Sequence, residues 1–322
     1  MTRWFVEKGS YLGTLFGFKV GCFAVRILPR RWLFGFCDAL ANLGFLLFRS
    51  YRTKSMNNLS MALAGRGVGD VRAIARRSLR NFFRACVEMV VALESSDEER
   101  RAAIPVAGGE HLDIALAKGN GVIILSAHLG NFFLVGTRLA LEGHDIHILI
   151  NQPNDGHFAK LMDDYRSEIK LFTIHARPRR QALSEINAVL RNSGIVVIIA
   201  DEYPKGNGVP TTLFGRTVLA RRGPVTLAAR TGAALVPACV VRQPDDTLKL
   251  VIEPELHLVR SGRGQGESTE NVSRMTQWLE KTVRSYPDQW NWMNIRWWGD
   301  NHDVADERRI QDSTHKQRAE KL

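Results

Sequence analysis

From residue 121 onward, short apolar runs alternate with amphipathic stretches. "GVIILSA" (121–127), "DIHILI" (145–150), "LFTIH" (171–175), "GIVVIIA" (194–200) and "ALVPACVV" (234–241) have strand length and are rich in β-branched residues. Helical spacing fills the gaps near 131–142, 156–170 and 180–192. A polar, glycine-containing loop at 202–222 and a helix from Pro224 to Thr231 precede the fifth run. Alternation of this kind predicts an α/β fold, a mostly parallel sheet covered by helices on both faces. "ACVVRQPDDTLKLVIEP" (238–254) predicts a hairpin turning at Asp245–Asp246, an antiparallel pair at one edge of that sheet. "SGRGQGEST" (261–269) reads as a flexible loop before a helix from about 269 to 285. Residues 300–322 are charged and aperiodic, which predicts a disordered tail.

The amino-terminal third has a different pattern. "YLGTLFGFKVGCFAVRIL" (11–28) and "WLFGFCDALANLGFLLF" (32–48) are nearly long enough to span a bilayer, but Lys19 and Asp38 interrupt them. They predict either a pair of core helices or attachment to a membrane by a tilted span or interfacial helices. Attachment is favoured because Arg30, Arg31, Arg49, Arg52 and Lys54 flank the runs, where anionic headgroups would meet them. Residues 1–55 are accordingly assigned to a membrane-associating segment and 56–299 to the α/β domain. In "DVRAIARRSLRNFFRACVEMVVALE" (70–94), Val71, Ile74, Leu79, Phe82, Phe83 and Val87 fall on one helix face, opposite a solvated face rich in arginine.

Charge narrows the choice of partner. The 322-residue chain carries a net +11 and a pI near 9.8, and residues 1–60 hold nine Lys and Arg against Glu7 and Asp38. A nucleic acid, an anionic membrane or an acidic carrier would each match. No nucleic-acid module is present, and the basic residues accompany apolar segments, so nucleic acid is set aside. Cys22, Cys37, Cys86 and Cys239 are far apart and form no CxxC, so no zinc ribbon or disulfide framework is expected. His144 and His147 would point to opposite faces of an extended strand and lack an obvious third ligand, so no metal is expected. There is no GxSxG elbow, Walker A loop or GxGxxG after a strand, and no cofactor is implied.

The carboxyl ends of the strands are where an open α/β sheet gathers its ligands. His128 follows "VIILSA" and Asp201 follows "IVVIIA", so both are placed at that edge. His128 also stands just before a helix, whose free N–H groups favour a developing oxyanion.

"SAHLGNFFLVG" (126–136) resembles the H-(x)4-D/E block of the lysophospholipid acyltransferase superfamily, and within it the bacterial lipid A biosynthesis acyltransferases. "RTKSMNNLSMAL" (52–63), the long block from "ADEYPKGNG" to "VPACVVR" (200–242) and "YPDQWNWMNIRWW" (286–298) resemble that family's other segments, in the same order. The resemblance implies a general-base histidine, here His128, that takes a proton from an acceptor hydroxyl as it attacks an acyl thioester. It further implies an acyl-carrier-protein (ACP) or coenzyme A (CoA) donor, a lipid or glycolipid acceptor such as a lipid A precursor, and a place on the cytoplasmic face of the bacterial inner membrane.

Three polar positions depart from the family pattern. The motif carboxylate is Phe133, Gln152 stands where relatives carry arginine, and Asn294 and Ile295 precede Arg296 where relatives often have His and Arg. Glu202 stands where relatives have Gln, so Glu202 and Asp201 are the candidates to replace the missing acid. Asn131, Gln152, Arg166, Arg230 and Arg296 are candidate substrate contacts, with salt bridges the alternative for Arg166 and Arg230. Activity with a substitute acid, a slower enzyme whose histidine is oriented by a backbone carbonyl, and a catalytically lapsed lipid-binding member all remain open. For Trp290, Trp292, Trp297 and Trp298, core packing and an interfacial belt are equally open.

Overall fold

The computed structural model describes residues 19–151, 163, 166–167, 169–204, 208–260 and 265–297. Its centre is a seven-stranded sheet, with strands β1 (Val106–Ala107), β2 (Val122–Ser126), β3 (Ile146–Ile150), β4 (Leu171–His175), β5 (Ile195–Ile199), β8 (Ala234–Arg242) and β9 (Leu248–Ile252). Their order is β1-β9-β8-β2-β5-β3-β4. The run β8-β2-β5-β3-β4 is parallel, while β9 is antiparallel to β8 and parallel to β1. Central strands carry apolar side chains on both faces, as a doubly covered sheet requires. Ile123 and Leu125 of β2 belong to one buried cluster, and Val122 and Ile124 to the other.

Helices α1 (Arg30–Leu47), α2 (Arg49–Ala62), α3 (Val68–Glu94) and α4 (Asp97–Ala103) precede the central strands, and residues 19–27 are also helical. Helices α5 (Gly109–Leu116) and α6 (Leu134–Ala140) cover one face of the sheet. The other carries α7 (Arg179–Arg191), α8 (Gly223–Thr231) and α9 (Gln265–Ser285), together with the inner sides of α1 to α3.

The structure departs from the sequence expectations in several places. The β8–β9 hairpin turns at Asp245–Asp246, but β1 pairs with β9 and takes the edge position. β1 has two residues, too few to show alternation in the sequence. The segment expected to be a polar loop at 202–222 contains a second, two-stranded sheet, β6 (Val209–Leu213) against β7 (Arg216–Ala220). Its turn is Phe214–Gly215, both with positive φ. Leu213, Val218 and Ala220 are buried under that hairpin, whereas Thr211, Thr217 and Arg216 interrupt the apolar pattern. The helix expected near 131–142 is α6, which starts at Leu134 because residues 131–133 form a tight turn closed by the Leu134 N–H donating to Asn131 O at 3.0 Å. The helix expected over 156–170 and the tail from 298 lie mostly or wholly outside the described residues.

The arginine face of α3 is partly solvated, with Arg76 and Arg77 exposed, and it also pairs with neighbouring elements. Arg80 and Arg84 bind Asp38 of α1, Arg76 donates to Asn42 and Arg77 pairs with Asp288 near the carboxyl end. Trp290 and Trp292 are fully buried and Trp297 is 3% exposed, so these three are core residues; Trp298 lies outside the described residues. They are fixed through two backbone carbonyls and one indole N–H. Asn58 of α2 donates to Trp292 O and accepts from Trp297 Nε1, and Ser78 of α3 donates to Trp290 O.

Candidate active site

Strand register brings the two chemistry-bearing residues together. β2 and β5 are parallel neighbours with Ser126 opposite Ile199. His128 lies two residues beyond Ser126 and Asp201 two beyond Ile199, so both leave the sheet at the same level on adjacent strands. Neighbouring strands are about 4.8 Å apart, within reach of two short side chains. His128 Nδ1 lies 2.7 Å from Asp201 Oδ1. The other oxygen, Oδ2, accepts the His128 backbone N–H at 2.8 Å and the Trp290 indole N–H at 2.8 Å.

Asp201 is 1% exposed. A buried carboxylate is tolerable only when its oxygens are met by donors, and three converge here. An ionised carboxylate has no proton to give, so His128 Nδ1 carries the hydrogen and Nε2 keeps its lone pair. Burial alone would lower the pKa of the His128 imidazole. The Asp201 hydrogen bond and charge, joined by the charge of Glu202, outweigh burial and hold it above the ordinary histidine value.

The turn bearing His128 is clamped by backbone bonds. Asn291 N–H donates to His128 O, Gly130 N–H to Gln289 O and Asn131 N–H to Val240 O, and Leu129 bridges to Trp290. Gly130 has φ +59, and a Cβ there would lie 2.1 Å from Val240 O. Only glycine fits so close to that carbonyl in the left-handed region.

The remaining candidates are distributed as follows. Glu202, one residue past Asp201, turns to Arg221 at 3.2 Å and is half exposed; it makes no hydrogen bond to His128. Asn131 is 1% exposed and donates its amide N–H to Glu88 Oε2 at 3.0 Å. Arg166 pairs with Asp163 at 2.9 Å, and burial lowers its pKa despite that partner. Arg230 is exposed in the last turn of α8, just before β8 begins, at the sheet edge opposite His128. Arg296 is exposed, and Gln152 lies outside the described residues.

Phe133 packs against Phe132, with ring centroids 4.1 Å apart, and tilts toward Phe82 of α3 at 6.3 Å. Phe132 meets the His128 ring edge-on at 4.9 Å. The imidazole therefore has a buried acid on one side and an aromatic wall on another. Among the described residues, no group of three or more His, Cys, Asp or Glu is placed to hold a metal ion.

Sequence reasoning missed Trp290 as a partner of the acid. The signal was its place in the closing "QWNW" segment, for which core packing and an interfacial belt are equally open in sequence. Its indole is both core and a partner of the acid.

A parallel sheet here presents an acid-oriented histidine beside an apolar wall, an arrangement able to take a proton from a hydroxyl. In agreement, the sequence model of the bacterial lipid A biosynthesis acyltransferases matches residues 4–298, and the chain belongs to that family. It is also similar to a phosphatidylinositol mannoside acyltransferase of Mycobacterium tuberculosis, 26% identical over 222 residues, which are 64% of this chain and 63% of that protein. The protein of the same description from Mycolicibacterium smegmatis is 24% identical over 204 residues, covering 62% of this chain and 63% of its own length. The chain thus spans less than two thirds of the length of these relatives.

Proposed function

We propose that the protein transfers a fatty acyl chain from a carrier thioester to a hydroxyl of a glycolipid, using His128 as general base. The observation that carries this is the 2.7 Å pair between His128 Nδ1 and buried Asp201, which leaves Nε2 free to accept a proton. An acceptor hydroxyl gives its proton to Nε2 as its oxygen attacks the thioester carbonyl. Collapse of the tetrahedral intermediate breaks the C–S bond, and the imidazolium returns the proton to the leaving thiolate. Asp201 stabilises the transient imidazolium, as the acid does in a Ser-His-Asp triad. The loss of the motif acid at position 133 was the ground for a lapsed member, and Asp201 supplies from β5 what Phe133 lacks.

The donor in this reading is acyl-ACP or acyl-CoA, matched by the net charge of +11. A glycolipid acceptor follows from the family and from the relatives' description as acyltransferases of phosphatidylinositol mannoside. The test is transfer of a labelled acyl chain from each thioester to lipid A precursors and to mannosylated phosphatidylinositol. Formation of an acyl ester by the wild type, absent with His128→Ala, is the expected result. No ester with any pairing would reject the proposal.

Two further outcomes follow from the aromatic wall. Phe133→Ala should leave the pH dependence of transfer unchanged, since the ring neither donates to nor accepts from His128. Phe133→Asp restores the family's carboxylate, yet should give no gain because Nδ1 is already bonded. A pH–rate profile of each variant checks both, and a gain with Phe133→Asp would show that Asp201 is an incomplete substitute.

We further propose that the protein lies on the cytoplasmic face of the bacterial inner membrane. No single helix among the described residues is long and apolar enough to cross a membrane; only the bent pair α1 and α2 satisfies length and composition together. α1 instead has two apolar faces. Leu33, Cys37, Ala41 and Phe45 are buried against the protein, while Trp32 (65% exposed), Phe36 (64%), Leu43 and Leu47 form an outer stripe. Phe23, Ile27 and Phe48 are also more than half exposed. An apolar patch of this extent marks a surface meant to be covered, and Arg31 and Arg49 are exposed at its two ends. Arg30 and Arg52, by contrast, bind Glu88 and the carbonyls of Phe45 and Leu46.

An interfacial helix fits these features better than a span. A fully buried large apolar side chain contributes ~1.5–3 kcal/mol. Partial insertion of three such residues implies that the triple variant Trp32→Gln, Phe36→Gln, Leu43→Gln loses vesicle binding by roughly 100-fold or more. Flotation of full-length protein with phosphatidylglycerol vesicles reads this directly. Wild-type protein that fails to float at low salt would exclude the proposal.

A further inference from the structure

The mechanism leaves a buried carboxylate unexplained. Glu88 of α3 is 5% exposed, and both of its oxygens are engaged. Arg242, at the end of β8, grips it with two bonds, Nη1 to Oε1 at 2.9 Å and Nη2 to Oε2 at 2.8 Å. Arg30 of α1 donates to Oε1 at 2.7 Å, and Asn131 donates to Oε2 at 3.0 Å. Arg84, the other cation of this region, goes instead to Asp38 and Asp246.

These bonds close a ring beside the site. From Glu88 the path runs through the Asn131 side chain into the turn that carries His128. Gly130, next to Asn131, donates its N–H to Gln289 O at 2.9 Å. The Gln289 side chain pairs with the Arg242 backbone in both directions at 2.8 Å, and Arg242 returns to Glu88. The turn on one arc of the ring carries His128, two residues before Gly130, and Trp290 follows Gln289 on the other. Between them His128 and Trp290 supply all three donors to Asp201.

Asn131 bears the mark of this arrangement. Its Oδ1 is buried without a hydrogen-bond partner, while its Nδ2 faces the carboxylate. An unpartnered buried carbonyl is costly, and the stronger charge-assisted bond to Glu88 fixes the amide in that sense. Nδ2 also donates to Ala85 O at 3.3 Å, the longer of its two bonds.

We infer that Glu88 is a positioning residue of the transfer reaction, clamping the His128 turn and the Trp290 segment so that both reach Asp201. Glu88 makes no hydrogen bond to the imidazole and acts through Asn131 and Arg242. The kinetic part of this inference rests on the acyl-transfer reading; the structural part does not.

The test compares wild type, Asn131→Ala and Glu88→Gln in the full-length protein, using the His128 imidazole pKa followed by NMR with histidine-selective labelling. His128 faces Asp201 and Glu202, the latter paired with Arg221, and neither acid is altered in these variants. If the clamp aligns the donors, loosening it weakens the Asp201 bond that raises His128. The pKa then falls toward the ordinary value in both variants, and kcat falls roughly 10–100-fold with KM little changed. A merely structural role would reduce the amount of folded protein and leave the His128 pKa where it is.

Asn131→Ala removes the Glu88 link to the turn, together with the longer bond to Ala85 O, and leaves Glu88 paired with Arg242, so it carries the test if Glu88→Gln does not fold. An unchanged His128 pKa in folded Asn131→Ala overturns the inference. Absence of transfer by the wild type would reject the proposed function instead, and the pKa comparison would still decide the role of Glu88.

Discussion

His128→Ala is expected to lower acyl transfer by ~10²–10⁴, the range for a lost general base. An alcohol is almost wholly protonated at neutral pH, so attack on a thioester depends on removing its proton in the transition state. The structure offers one free ring nitrogen for this, Nε2, because Nδ1 is bonded to Asp201 at 2.7 Å. The fold should survive the substitution. His128 is only part-buried, and its backbone is held independently by Asn291 and Asp201. Circular dichroism and the melting transition should therefore stay near wild type while turnover collapses. Acceptor binding should also persist, since the imidazole acts on a proton rather than holding the lipid. Turnover within about threefold of wild type would remove His128 from the chemistry.

The sheet was legible because its central strands are apolar on both faces. Such strands stand out as unbroken runs of Val and Ile, and β2, β3, β4, β5 and β8 coincide with the five runs that the sequence displays. Short or half-covered elements were not legible. β1 has two residues, and β6–β7 carry threonines and an arginine on their outer side, so their pattern resembles a loop. Placement of His128 and Asp201 at one edge followed from the strand rule. Which acid bonds the imidazole did not, because Asp201 and Glu202 are consecutive and a one-residue change in register exchanges them. The parallel register of β2 and β5 decides it, and that is a property of the folded sheet.

The tryptophans and the arginines show a second limit. In sequence, core packing and an interfacial belt are equally open for Trp290, and the α3 arginines read as a solvated face. In the fold, Trp290 is core and also an N–H donor to the acid, and the arginines join α3 to α1 and to the closing segment. Pairings between residues some forty to two hundred positions apart leave no local periodicity. Glu88 is the extreme case: three elements and a turn meet on one carboxylate.

Asp201→Asn should be nearly as damaging as loss of His128, and its pH dependence identifies the acid. Three N–H donors point at Asp201, one to Oδ1 and two to Oδ2. Asparagine has one acceptor oxygen, so its NH₂ must oppose at least one donor. The least costly escape is for His128 to move its proton to Nε2 and accept at Nδ1, which removes the base from the cleft. A loss of ~10²–10⁴ in kcat is expected, comparable to the wrong-tautomer effect in serine proteases. The sign of the pH effect is fixed. His128 works unprotonated, so activity rises with pH through a limb that Asp201 and Glu202 hold above the ordinary histidine value. Removing the Asp201 charge moves the residual limb to lower pH while the plateau falls. Glu202→Gln also removes a nearby charge and should move the limb in the same direction, yet its plateau should stay near wild type because Glu202 pairs with Arg221. Profiles of kcat/KM for the two variants separate orientation from charge alone. If Glu202→Gln loses its plateau and Asp201→Asn keeps it, Glu202 is the residue that orients His128, and the 2.7 Å pair is not the working one.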